Sequence, residues 1–358
     1  MNRKLAAFVL MLTLPTGLLF GCGSTIDGNT GTDISEDAEL NVSEAAETEA
    51  DISEETDADL SQETESDTSQ SAESDSDLYW FEDVVEHETI SVGAEHIVAL
   101  KSDGTVVAAG NNDDGQCDVS DWENVAAVSA GYDHTAALYY GGMVWAVGFN
   151  GYKTHACSDV YDWSQENLTI CAGQDVTMAL KFDGTVMATG EDYDVSGWTD
   201  IVAIEAGGIH VMGVRSDGTV VAASNNDYGQ CDVSGWTDIV AVSPGGWYSV
   251  GLKSDGTVVA VGDNMDGQCD AADWTDIVAI SAGGGHTPGL KSDGTVVAVG
   301  NNDFGQCNVT EWTDIVEISA CEGISAGLKS DGTIVLTGDV NDEMLEALEW
   351  TDIKVPVR

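Results

Sequence analysis

Residues 274–311 read WTDIVAISAGGGHTPGLKSDGTVVAVGNNDFGQCNVTE, and every segment of this stretch is strand or turn. The runs at 277–282 and 295–299 are short, rich in β-branched residues and bounded by glycine. Asp293-Gly294, between Leu290 and Val296, marks a tight two-strand hairpin. No part of the stretch holds apolar residues at helical spacing over the length a helix needs. The apolar runs are nearly continuous rather than alternating, as expected of strands covered on both faces.

The stretch recurs along the chain. SDGT turns begin at Ser102, Ser216, Ser254, Ser292 and Ser330, Phe182 heads the variant FDGT, and Tyr140-Gly141-Gly142-Met143 stands in the remaining slot. Trp80, Trp122, Trp163, Trp198, Trp236, Trp274, Trp312 and Trp350 bracket seven units of 42, 41, 35, 38, 38, 38 and 38 residues. One such unit cannot bury a core alone, so neighbours must stack. Small antiparallel sheets sandwiched between their neighbours predict an all-β, seven-bladed β-propeller. A parallel β-helix would also cover both faces, but it gives no reason for the SDGT hairpin. Each blade is expected to have three main strands and a short outer one near 306–309. An open ring would leave a bare edge. Residues 84–92 are expected to open the first blade, and Trp350-Thr351-Asp352-Ile353, the start of an eighth copy, to lie beside it and latch the ring.

The string AGxxHTxxLKSDGTVVAxGxNxxGQC, as at 282–307, resembles the repeat of the regulator-of-chromosome-condensation family over residues 83–350. The resemblance implies a seven-bladed propeller. The unit length is nearer to short-repeat secreted bacterial members such as the second β-lactamase-inhibitory protein. Nucleotide exchange, performed elsewhere in the family with an inserted wedge, would need a cytosolic address and an insertion that this sequence does not display.

Upstream, MNRKLAAFVLMLTLPTGLLFGC has a basic head, an apolar run broken by Pro15, and Leu19-Phe20-Gly21-Cys22, which resembles a bacterial lipobox. The expected organisation is a lipoprotein signal peptide at 1–21, a lipidated Cys22 heading a stalk to 77, and the propeller at 78–358. Residues 23–77 hold 19 acidic residues and no Lys or Arg. They cannot bury a core, and the stalk is expected to be disordered, reaching on the order of 45 Å or more. The whole chain has a formal net charge of −53. The folded part keeps most of that excess, which argues against nucleic acid and for a cation or a basic protein surface.

His96, His134, His210 and His286 share one repeat position, three residues after a glycine, where Val176, Tyr248 and Ile324 stand in the other units. They are metal candidates in principle, but the reading preferred is a packed histidine bonding backbone. The loops at 110–117, 225–231, 262–269 and 300–307 are Asn- and Asp-rich without the calcium-loop spacing, and self-bonded turns account for them. Cys117, Cys157, Cys231, Cys269 and Cys307 fall at equivalent points of separate blades, too far apart to pair. No nucleophile with its base, phosphate cradle or distinct carboxylate pair is legible, and no cofactor is expected.

The turn face is nearly uniform and the opposite loop face varies, so recognition is assigned to the loops. The candidate binding residues are Tyr132, Asp133, Gln174, Asp175, Trp247, Tyr248, Tyr228, Phe304 and Glu322. An acidic stretch at 339–349 that could be helical belongs to the same face. The expected function is that of a monomeric, non-enzymatic surface lipoprotein binding a protein or glycan outside the cytoplasm. Its rival is a metal-assisted lyase or hydrolase on the same scaffold.

Overall fold

The computed structural model describes residues 88–149, 160–163, 166–190 and 192–356. The signal peptide, Cys22, the stalk, Trp80 and Cys157 all lie outside the described residues. The described chain forms seven antiparallel three-stranded sheets, each made of strands consecutive in sequence. Blade 4 is representative, with Ile201–Ala206, His210–Arg215 and Val220–Ser224. The expected fourth strand does not form. Residues 306–309 and their described equivalents are turn and irregular chain, because their polar side chains are spent on the loop itself.

The first strand of each blade lies innermost and touches the first strands of both neighbours around the ring. Apolar burial falls into seven wedges, one between each pair of adjacent blades. Val176, Met178 and Leu180 of blade 3 meet Ile201, Ile204 and Val211 of blade 4, and Met212 and Val214 of blade 4 meet Ile239 and Val242 of blade 5. Glycines in the second strand make room for the junction tryptophans. A Cβ on Gly251 would come within 2.6 Å of the Trp236 ring, and one on Gly289 within 2.5 Å of Trp274.

Two repeated turns define the turn face. In each SDGT turn the aspartate accepts from the threonine two residues on; Thr105 N–H and Oγ1–H both donate to Asp103 Oδ1, at 3.0 and 2.6 Å. These bonds hold the exposed Asp103 carboxyl below its ordinary range. Gly104 takes φ 81°, which favours glycine. The third residue of WTD is also left-handed, with φ 60° at Asp200 and 62° at Asp238, a conformation Asp and Asn tolerate better than other side chains. Its carbonyl accepts from the turn of its own blade (Ser216 N–H to Asp200 O, 2.9 Å). The next residue donates to the turn of the preceding blade (Ile201 N–H to Gly184 O, 3.1 Å).

The eighth half-copy closes the circle by filling that junction for blade 1. Ser102 N–H donates to Asp352 O (2.9 Å), Lys354 N–H donates to Leu100 O (2.8 Å), and Ile353 bridges Lys101. The innermost strand of blade 1 is therefore composite. Ile353 occupies its first position, and Ile90–Val92 continues it. Residues 84–87 of the expected opening strand lie outside the described residues, and Trp350 packs on the wedge between blades 7 and 1. The changeover is locked by Glu317, whose carboxylate accepts from the N–H groups of Thr89 and Ile90 (2.8 and 3.1 Å) and from Thr89 Oγ1. On the other face a 3-10 helix, Met344–Glu349, falls in the acidic stretch and buries Met344 and Ala347 in the same wedge. Ile353→Ala empties a buried latch residue, and the expected cost is about 2–4 kcal/mol in urea unfolding. An unchanged midpoint would mean that the tail does not hold the ring.

Candidate functional site

The seven innermost strands surround an axial cavity of about 90 Å³. That is well below the few hundred Å³ that a small organic ligand needs. Its wall carries a repeated inter-blade bond. Ser91 Oγ accepts from Ala130 N–H (2.9 Å), Ser129 from Ala172 (3.0 Å), Ser243 from Ala282 (2.9 Å), Ser281 from Ala320 (2.8 Å) and Ser319 from Val92 (3.0 Å). The ring of serines is broken at two consecutive places. Cys171 and Glu205 stand in the serine slots of blades 3 and 4, and Pro244 of blade 5 has no N–H to offer Glu205. Burial lifts the Glu205 carboxyl to about 8, against a smaller lowering by the N–H of its own neighbour, Ala206. Glu88 lines the same cavity. The residue as a whole is exposed, but desolvation of its carboxyl toward the axis, then Glu205 and Glu317, push that carboxyl up as well. No carboxylate pair with its own surroundings is legible in the sequence, and the structure brings Glu88 and Glu205 to the wall of one cavity. A lone glutamate in one copy of a repeated strand carries no signal until the ring places it beside another.

The four histidines are fully buried and hold adjacent blades together. Their Nε2 atoms lie 2.9, 2.9, 2.7 and 2.9 Å from the hydroxyls of Thr135, Thr177, Ser249 and Ser325, each in the following blade. Thr135, Ser249 and Ser325 donate in turn to the carbonyls of Gln116, Gln230 and Gln306, at 2.8, 2.8 and 2.9 Å. Those hydroxyls must therefore accept from an Nε2–H. The preferred reading is corrected in its partner, a side-chain hydroxyl rather than backbone. Each Nδ1 is left buried without a partner. Burial lowers the imidazoles to about 4 at His96, about 3 at His134 and about 4 at His210 and His286. The metal alternative for these four is met by geometry: they sit in separate blades, each spent on its neighbour. Among the described residues no group of three or more His, Cys, Asp or Glu has the arrangement of a metal site.

Tyr248 occupies the histidine slot of blade 5. It is 0% exposed, and its hydroxyl donates to the His286 carbonyl. It is not a loop-face residue, which corrects its place among the binding candidates. The loops themselves are held by their own amides. Asn226 Oδ1 accepts from Cys231 N–H (2.8 Å), Asn225 Oδ1 from Gln230 Nε2 (2.8 Å), and Gln230 Oε1 from Tyr228 N–H (2.9 Å). The thiol of Cys231 donates to Asn225 O at 3.2 Å, and burial lifts it to about 11. The six cysteines of the described residues are unpaired with one another.

The remaining candidates sort into two concentric sets. Tyr132, Gln174 and Glu322 line the mouth of the axial cavity, whereas the same slot in blades 4 to 6 is Gly208, Gly246 and Gly284. Outboard lie Asp133, Asp175 and Trp247, each beside or within reach of an outer loop. Trp247 and Tyr228 stack edge to face at 5.2 Å and are 44% and 53% exposed. Phe304, 60% exposed, packs beside Gly323 in the equivalent place two blades on, and Met265 is also exposed. Asp133 has acids for company. Burial, then Asp114, Glu95 and Asp175, raise its carboxyl. The two turns that depart from SDGT, in blades 2 and 3, leave Tyr140, Met143 and Phe182 exposed.

Charge divides sharply between the two faces. Of the described residues, Lys101, Lys181, Arg215, Lys253, Lys291 and Lys329 immediately precede the hairpin turns, and Lys354 follows the C-terminal latch. The loop face has no Lys or Arg among the described residues. Between blades 7 and 1 it opens into a cleft of about 590 Å³ lined by Glu95, Asp113, Glu322, Asp339 and Glu343 with Asn111, Asn112 and Asn341.

Three segments, 88–116, 125–153 and 277–306, match the regulator of chromosome condensation (RCC1) repeat. No curated protein matches the sequence. Among solved structures, the CRINKLY WD40 ectodomain of the Arabidopsis thaliana receptor kinase ACR4 is similar at 15% identity and a TM-score of 0.61, over 72% of this chain and 97% of that one. The ectodomain of the Physcomitrella patens receptor kinase CR4 gives 16% and 0.57, over 69% and 71%. Prp20p of Saccharomyces cerevisiae gives 17% and 0.54, over 73% and 83%. These likenesses establish the fold.

Proposed function

We propose that this chain, a seven-bladed propeller of RCC1-like repeats, is a non-enzymatic binding module that recognises a protein or glycan through its loop face. The observation that carries the reading is the exposed Tyr228–Trp247 pair on that face. Two large aromatic rings are held rigid by their loops and left in water, where a partner can cover them. The repeat leaves this freedom to the loop side chains because every blade needs the same turns and wedges, while neighbouring loops bond through backbone, as Tyr132 N–H does to Gly173 O. The catalytic alternative has lost its four histidines to packing, and the axial cavity is too small to hold a substrate of ordinary size. The family supports a protein partner: the structure of Prp20p is described with its binding to Gsp1p and histones.

The proposed location is the outer surface of a bacterial membrane, with Cys22 as the lipid-bearing residue. Labelled palmitate should be incorporated by the unmodified chain and not by Cys22→Ala, which should leave the membrane fraction. For the binding face, pull-downs from envelope extracts compare the unmodified chain with Trp247→Ala and Tyr132→Ala. A partner lost by at least one variant supports the reading. Equal recovery of every partner by all three would overturn it.

A further inference from the structure

We infer that the partner of the loop face is a basic protein segment, rich in arginine and lysine, that lies across the aromatic arc of blades 4 to 6 and extends toward the acidic cleft between blades 7 and 1. This inference rests on the binding face proposed above and names the chemistry of what it binds.

Two independent features of the face converge on it. The first is apolar. Tyr228 and Phe304 occupy the same loop position in blades 4 and 6, Met265 stands one residue earlier in the loop of blade 5, and Trp247 closes against Tyr228. Inboard of them, the half-buried Gly246 and Gly284 leave backbone accessible at the rim of the axial cavity. A chain laid there would meet ring faces on one side and backbone on the other. Aromatic faces attract guanidinium and ammonium groups, and stacking on Trp or Tyr is the arrangement arginine favours.

The second feature is the distribution of charge. A protein with this many acids could spread its few cations evenly to soften repulsion. Instead, every described Lys and Arg sits on the opposite face, at a repeat position fixed beside the turn. On the loop face the carboxylates Asp227, Asp263, Asp266 and Asp303 alternate with the aromatics along the outer loops. Glu322 stands where the axial mouth meets the acidic cleft. Asp133 has Asp114, Glu95 and Asp175 for neighbours with no Lys or Arg among the described residues of this face, and burial first, then these acids, raise its carboxyl. Such a surface is electrostatically incomplete. A cationic chain relieves the repulsion and is steered to this side of the disc, whereas an acidic or neutral partner would leave it in place. The cleft, with a volume of about 590 Å³, has room for the side chains of a chain laid along it.

The experiment uses the full chain and a nona-arginine peptide carrying a benzophenone, with a nona-glutamate peptide of the same design beside it. Photo-crosslinks are mapped by mass spectrometry at about 0.15 M salt. The expected result is adducts from the arginine peptide in the loops at 225–231, 246–248, 263–268 and 301–306, with none from the glutamate peptide. Trp247→Ala with Tyr228→Ala should reduce the loop adducts at least about fivefold. Asp255→Asn with Asp293→Asn, on the turn face, should leave them within twofold. Raising the salt to about 0.5 M should suppress them steeply, as screening requires. Adducts confined to 23–77 or to the turn face would overturn the inference, as would equal loss with the turn-face pair. The two proposals fail separately. If the envelope pull-down returns a neutral or acidic partner that Trp247→Ala loses, the binding face stands and the basic partner falls. If the partners ignore both Trp247→Ala and Tyr132→Ala, both fall.

Discussion

Between pH 6.5 and about pH 4 the ring is expected to lose on the order of ten kcal/mol of stability through four side chains. His96, His134, His210 and His286 titrate near 6.5 when unfolded and at about 4, 3, 4 and 4 when folded. In that window the unfolded chain binds protons that the folded ring refuses, so stability falls as pH falls and levels off below the folded values. Each imidazole contributes about 3 kcal/mol or somewhat more, against a total of about 5–15 kcal/mol for an ordinary domain. The cause is local. Nε2–H is already donated to a hydroxyl of the next blade, and a second N–H at the buried Nδ1 would have nothing to meet. The test replaces one pair by a pair the protein itself uses. Blades 3 and 4 put Val176 against Val211 where blades 2 and 3 put His134 against Thr177. His134→Val with Thr177→Val should therefore fold, and its acid-unfolding midpoint should move to lower pH with a shallower slope of stability against pH. An unchanged acid limb would show that the buried histidines do not govern it.

Alkaline pH should weaken the ring by the opposite route, and completing the serine ring should remove the part of that weakness that Glu205 supplies. Glu205 has its folded carboxyl raised to about 8, and that of Glu88 is raised too. A group raised in the folded state favours folding below its unfolded value, near 4.5, and that contribution is lost as pH climbs through the folded value. For Glu205, which is only partly shielded from water, this amounts to roughly 2–4 kcal/mol between pH 4.5 and 8. The triple variant Cys171→Ser, Glu205→Ser, Pro244→Ala copies the other five junctions. The hydroxyl introduced by Cys171→Ser would accept from Ala206 N–H, and the one introduced by Glu205→Ser would accept from the N–H that Pro244→Ala restores. The melting temperature at pH 8.5 is expected to rise by several degrees, with little change at pH 5, where native Glu205 holds its proton. A variant no more stable at pH 8.5 than the parent would mean that the broken serine ring stores no strain of charge.

Much of this was legible in one chain because the chain contains seven experiments on the same strand. The period of 38 residues, the SDGT hairpin and the junction tryptophans lead to seven sheets. The histidine network was legible too, though only by reading across one period: His96 is answered by Thr135, His134 by Thr177, His210 by Ser249 and His286 by Ser325, while Val176 is answered by Val211 and Ile324 by Ile97. Polar meets polar and apolar meets apolar at a fixed offset, since the two residues touch across a blade boundary. The outer strand near 306–309 was misread because Asn302 and Gln306 look compatible with a strand edge. Their side chains bond within their own loop and leave no run of backbone free to pair. Tyr248 was misplaced for a related reason, since an aromatic next to a loop reads as exposed until its slot is known to be the buried histidine slot.

The sequence by itself determined the number of blades, the hairpins and the two faces, because local turn chemistry repeated seven times leaves one way to stack. Only the tertiary structure decided which residues meet across the closure and the axis. Ile353 completing the strand of Ile90–Val92, and Glu88 facing Glu205 across more than a hundred residues, depend on the ring's curvature. Curvature is a sum over all seven wedges, so no single stretch of the chain encodes it.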